Sequence, residues 1–165
     1  MVKQESQRKR SPSMEDYLEA IAMLAGEEKV VRVNQISQRL KVKMPSVTSA
    51  LGKLSQQGLV IHERYGYVEL TAEGYKAAKD VIRRHKALNR FFAEALGIDR
   101  KTADEDACKI EHVISPLTLE RLTKFLEFMG ACAWGQTNFP ETYKYFLVHG
   151  EFPKECWERS RKEKR

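Results

Sequence analysis

Apolar residues recur at helical spacing near the start of the chain. Tyr17, Leu18, Ile21, Ala22 and Leu24 form one stripe with a three- to four-residue repeat. Ser11-Pro12-Ser13 marks where that helix begins, with Ser11 as N-cap and Pro12 in the first turn. Gly26 and Glu27-Glu28-Lys29 end it, and Val30-Val31-Arg32-Val33 fits a brief strand or extended entry. Two shorter amphipathic segments follow. Asn34 to Leu40 carries Ile36 and Leu40 on its apolar face; Met44 to Gln57 carries Val47, Leu51 and Leu54. Asn34 is the expected N-cap of the first, Lys41-Val42-Lys43 makes the turn, and Pro45 suits an early position in the second. That spacing reads as a helix-turn-helix. Gly58 stops the second helix, and Leu59-Val60-Ile61 and Tyr67-Val68-Glu69-Leu70 flank the charged stretch His62–Gly66 as a hairpin. A helix-turn-helix followed at once by a small hairpin is a winged helix.

The second half is helical throughout its periodic part. Thr71 caps a long helix predicted to reach about Ala95, and Gly97-Ile98-Asp99 separates it from a helix over Lys101 to Ile114. Ser115-Pro116 opens the next, running to about Met129, where Leu117, Leu119, Leu122, Phe125, Leu126 and Met129 leave little polar face. So apolar a helix in a small protein points to burial in a partner subunit. The pattern breaks up after Gly130, apart from a short helix around Glu141–Val148. The predicted fold is therefore mainly α. Residues 1–10 form a flexible basic arm and 11–75 a winged helix-turn-helix with a small β-hairpin wing. Residues 76–130 make a second, α-helical domain, and 131–165 a C-terminal extension of unassigned role. No internal repeat or low-complexity tract is visible.

Composition narrows the partners. The 165 residues carry a formal charge of +6 and a pI near 9.2, which suits a polyanion such as nucleic acid. No run of about 18 apolar residues is present, so no membrane span is expected. The first residues have no apolar core and read as no secretory signal. Three widely spaced cysteines argue for a reducing, cytoplasmic setting and against a disulfide scaffold. On the second helix of the helix-turn-helix, small hydroxyl side chains would let the helix lie close in a major groove. The expected DNA-contacting set is Lys43, Pro45, Ser46, Thr48, Ser49 and Lys53, with Arg64 from the wing.

Candidate chemistry concentrates in Asp106–His112. Read as helix, Cys108, Glu111 and His112 fall at i, i+3 and i+4, on one face. A thiolate, a carboxylate and an imidazole there form half a shell for a divalent transition metal. The competing reading is a surface Glu-His pair beside a buried free cysteine. Asp16 and Glu19 lie adjacent on the first helix, and as isolated residues read as dipole-favourable surface charges. Cys132, His149 and Cys156 fit no structural-zinc spacing.

Taken together, Ser13-Met14-Glu15-Asp16-Tyr17-Leu18-Glu19, Pro45-Ser46-Val47-Thr48, Arg84-His85 and Ile110-Glu111-His112 resemble the diphtheria-toxin-repressor and manganese-transport-regulator (DtxR/MntR) family of metal-activated repressors. The resemblance covers roughly residues 11–129. It implies a homodimer with metal held between the first helix and the dimerisation helices. By position the ligands would be Asp16, Glu19, His85, Cys108, Glu111 and His112. Asp16 and Glu19 match the manganese branch, whereas Cys108 matches the iron branch. Asn89 stands where an ancillary acidic ligand is often found, and no SH3-like domain is recognisable beyond Gly130. Hard carboxylates suit Mn²⁺, imidazole suits Fe²⁺ or Zn²⁺, and a thiolate tilts toward Fe²⁺ or later metals; Zn²⁺, Co²⁺ or Ni²⁺ can bind in vitro regardless. The implied function is a cytoplasmic Fe²⁺- or Mn²⁺-activated repressor of metal-homeostasis genes, acting on a palindromic operator in double-stranded DNA, and not an enzyme. The rival reading is a metal-independent winged-helix regulator that senses an organic ligand.

Overall fold

A computed structural model describes residues 12–27, 30–62, 67–131 and 139–151. The basic arm, Ser11, Arg64, Cys132 and Cys156 lie outside the described residues. The chain divides into two compact units, Met1–Arg83 and Arg84–Arg165.

In the first unit, α1 (Pro12–Glu27), α2 (Val33–Leu40) and α3 (Met44–Gln56) precede a two-stranded antiparallel hairpin, β1 (Val60–His62) and β2 (Val68–Leu70). The first part of α4 (Ala72–Arg90) follows. Leu18 and Ile21 of α1, Ile36 of α2, and Val47, Leu51 and Leu54 of α3 are fully buried and share one apolar cluster with Val60 and Val68. Burying each such side chain contributes about 1.5–3 kcal/mol. Val60 faces Leu70 and His62 faces Val68 across the hairpin, and Val31 adds an isolated bridge to Val68. The extended entry expected at Val30–Val33 is thus one bridge long, because the helix takes over at Val33.

The start of α2 differs from the sequence expectation. Arg32, not Asn34, is the N-cap: its backbone is extended, and its N–H donates to the Gln35 side chain at 2.8 Å. Gln35 at N3 supplies the return half of a capping box, so Asn34 falls inside the helix. The turn closes on Lys41 in the left-handed region (φ 55), with the Val42 N–H donating to Ser37 O at 3.1 Å. Gly58 (φ +70) then ends α3. Gly74 serves a different purpose, since a Cβ there would stand 1.8 Å from Leu59 O. Only glycine lets α4 approach the hairpin base so closely. Thr71 caps α4 as expected, accepting from Gly74 N at 3.0 Å while donating to Gly58 O at 2.7 Å.

The second unit comprises the end of α4, a π-helical turn (Phe91–Ala95), α5 (Arg100–Ile110), α6 (Pro116–Ala131) and α7 (Phe139–His149). The long helix expected to reach Ala95 therefore leaves α geometry at Arg90, where the Leu96 N–H reaches back to Phe91 O. Phe91 packs edge-on against Phe92 and Phe125, with ring centres 5.9 and 6.0 Å apart. Asp99 caps α5, accepting from the backbone N–H of Lys101 and Thr102 at 3.1 Å. A side-chain hydrogen bond with Thr102, joined by those backbone donors, holds its carboxyl below the usual value. Ser115 caps α6, accepting from Thr118 N at 3.1 Å. α5 stops at Ile110, four residues short of its expected end.

Candidate metal centre and DNA-reading face

The metal-type residues of the second unit converge on Glu111. It follows α5 as the C-cap, still in helical geometry, so it retains the one-face placement that the spacing implied. Its side chain is fully buried. His85, one turn before the end of α4, brings Nδ1 to 2.8 Å from Glu111 Oε2. The His112 ring is nearly as buried, 6% exposed, with Nε2 3.4 Å from Glu111 Oε1. That distance allows charge attraction, but Oε1 has no hydrogen-bond donor among the described residues. A buried carboxylate oxygen without a donor is costly unless something else takes its lone pairs.

Burial reverses the bland reading of this stretch. Glu111 and His112 are inside, and it is Cys108 that is an exposed thiol, one turn earlier on α5. Asp16 and Glu19 lie three residues apart on α1 of the first unit, both half-buried.

One participant escaped the sequence reading. Asp104 Oδ1 lies 3.0 Å from His85 Nε2 and accepts from Asn89 Nδ2 at 3.4 Å. The available signal was its spacing: Asp104, Cys108 and Glu111 follow i, i+4, i+7 on one helix face. The donor set, two imidazoles and a buried carboxylate with an unpaired oxygen, fits a divalent first-row metal.

On α3, Pro45, Ser46, Thr48, Ser49 and Lys53 are all exposed, as is Lys43 just before the helix, while Val47, Ala50, Leu51 and Leu54 turn inward. Thr48 spends its hydroxyl proton on Met44 O at 3.1 Å, leaving its oxygen to accept. A cleft of about 480 Å³ separates the exposed face of α3, at Ser46, Ser49 and Lys53, from Ser13, Met14 and Tyr17 of α1. Tyr17 is pushed upward in pKa, by burial first and the Asp16 charge second. His62, given no role by its sequence, is half-buried on β1.

Comparison with known proteins fits both halves. Residues 9–68 match the iron-dependent repressor N-terminal DNA-binding domain, and residues 71–140 match the iron-dependent repressor metal-binding and dimerisation domain. The chain is 37% identical over 118 residues to the HTH-type transcriptional regulator MntR of Shouchella clausii, covering 72% of this chain and 82% of that one. The chain belongs to the DtxR/MntR family of metal-dependent transcriptional repressors. Another relative is an uncharacterized HTH-type transcriptional regulator of Methanocaldococcus jannaschii, 40% identical over 71% of this chain and 94% of the other. Among solved structures, the manganese regulator SloR superposes with a TM-score of 0.64 at 29% identity. The match takes in 72% of this chain and 55% of SloR, so the chain spans about half the length of that DtxR/MntR relative. Among the described residues no helix is long and apolar enough to cross a membrane.

Proposed function

We propose that this DtxR/MntR-family chain is a cytoplasmic homodimeric repressor that binds a palindromic operator when loaded with Fe²⁺ or Mn²⁺, and so controls metal-homeostasis genes. The observation that carries the reading is Glu111: a fully buried carboxylate flanked by His85 and His112, with Oε1 lacking a donor among the described residues. His85, Glu111 and His112 would hold the ion in the second unit, Cys108 would add a thiolate, and Asp16 and Glu19 would join from α1. The ion supplies positive charge to a set of carboxylates that otherwise repel. With that repulsion removed, the DNA-reading unit and the helical unit adopt one arrangement, and two copies set their α3 helices at half-sites about one helical turn apart. Metal and DNA then strengthen each other's binding reciprocally. Lys43, Lys53 and Arg64 contact phosphates, while Pro45, Ser46, Thr48 and Ser49 face the groove. The iron named in the matched domains and the manganese named for SloR support both metals.

The test is anaerobic DNA binding across Fe²⁺, Mn²⁺, Zn²⁺ and no metal, with Glu111→Ala and His112→Ala as variants. Metal should tighten operator binding of the parent chain, and either substitution should abolish that tightening. Metal-stimulated binding that survives both substitutions would sink the assignment.

A further inference from the structure

The two nitrogens of His85 face two different carboxylates. Nδ1 meets Glu111 Oε2 at 2.8 Å on the buried side, and Nε2 meets Asp104 Oδ1 at 3.0 Å on a side where Asp104 is 67% exposed. The lone pairs of an imidazole diverge, so an ion taken up at one nitrogen leaves the other pointing away from it. The ion belongs on the Nδ1 side, where Glu111 Oε1 is buried without a donor among the described residues and the His112 ring is close. Nε2 must then keep its proton and give it to an acceptor. Asp104 is that acceptor.

We propose that Asp104 is a positioning residue for metal capture, keeping the proton on His85 Nε2 when Nδ1 exchanges its contact with Glu111 Oε2 for the ion, and that Asn89 holds Asp104 in turn. The inference rests on reading His85 and Glu111 as ligands. Two features make Asp104 an orienting group and not a ligand. Its Oδ1 is already approached by two nitrogens, His85 Nε2 at 3.0 Å and the Asn89 amide at 3.4 Å. An amide NH₂ also carries no lone pair for a cation, so Asn89 completes a cradle for an anion. A carboxylate behind a metal-bound imidazole raises the basicity of the ring and fixes its orientation, and losing such a partner typically costs about 10–100-fold in metal affinity. His85 and Asn89 sit i, i+4 on α4, and Asp104 lies on α5 seven residues before its C-cap Glu111, so the two helices and that cap present the whole chain of contacts.

The experiment uses the full chain and its His85→Ala, Asp104→Ala and Asp104→Asn variants. Mn²⁺ affinity is measured by titration, and the His85 tautomer is read by long-range ¹H–¹⁵N correlation on Zn²⁺-loaded protein. Asp104→Ala should weaken Mn²⁺ binding about 10-fold or more and remove the protected Nε2–H signal of His85. Asp104→Asn, which keeps an acceptor oxygen, should restore most of the affinity and the signal. If His85→Ala weakens Mn²⁺ while Asp104→Ala matches the parent, the positioning role is refuted and the metal centre stands. If Asp104→Asn is as weak as Asp104→Ala, or if Asp104→Ala loses one whole ion from the stoichiometry, Asp104 acts otherwise than as an acceptor for His85. If the parent chain takes up no Mn²⁺, or His85→Ala leaves its binding unchanged, the metal-centre reading falls and this inference with it.

Discussion

The DNA-reading unit and the helical unit are closed in different ways. The first buries Leu18, Ile21, Ile36, Val47, Leu51 and Leu54 completely, all in one apolar cluster. In the second, among the described residues, the buried apolar side chains past the boundary are Leu88, Leu119 and Leu126 with the small Ala95, Ala103 and Ala107, and the largest fully buried side chain is that of Glu111. The second unit also turns large apolar side chains outward, Val113 at 73% and Leu117 at 62% exposed. A cluster of branched aliphatics is held by desolvation alone. A buried carboxylate and exposed apolar side chains need something else to offset their cost. The winged helix thus closes on its own apolar cluster, whereas the helical unit is the half where the proposed ion and second subunit would add most.

The strongest challenge to this contrast is Leu18→Ala. It should cost about 2–5 kcal/mol in the first unit, seen as faster amide hydrogen exchange there without metal, with exchange in α5 and α6 unchanged. Faster exchange spreading to α5 and α6 would break the contrast. Glu111→Gln should do the converse. At about 100 times Kd a bound ion stabilises the parent by about 2.7 kcal/mol, and the variant should lose that gain while its metal-free melting temperature changes little. A variant that still melts higher with Mn²⁺ would show that Glu111 is no ligand. The smallest effect belongs to Asp99→Ala. Because the Asp99 pKa is lowered in the fold, its cap is fully present above the ordinary carboxylate value and is lost as pH falls through the folded-state value. The parent should therefore lose amide protection in α5 on acidification, and the variant, weaker at neutral pH, should show a flatter acid limb.

The helix-turn-helix was legible because its apolar residues repeat every three or four positions and nothing else packs that way. Thr71 and Ser115 were legible as caps because a short hydroxyl side chain has few other uses at such a position. The start of α2 was not, because its cap is made by the long side chain of Gln35 reaching back to Arg32, which has no strong residue signature. The π-helical turn was hidden too, since one extra residue per turn leaves the local run of apolar residues unchanged. Cys108, Glu111 and His112 were legible as a group from spacing, but not their burial, which left the thiol outside and the carboxylate in. Asp104 was passed over because its partner His85 lies nineteen residues away on another helix, a pairing that only the tertiary fold creates.

The π-helical turn at Phe91–Ala95 sets a rule for anyone re-engineering the chain. It is a phase break: each residue of an α-helix advances about 100° around the axis, so one residue removed there would swing everything downstream by that angle while leaving the composition almost untouched. Linkers, tags or chimeric junctions placed at Phe91–Ala95 would thus be sensitive to length as well as to the ring packing of Phe91 and the burial of Ala95, the opposite of what a surface loop tolerates.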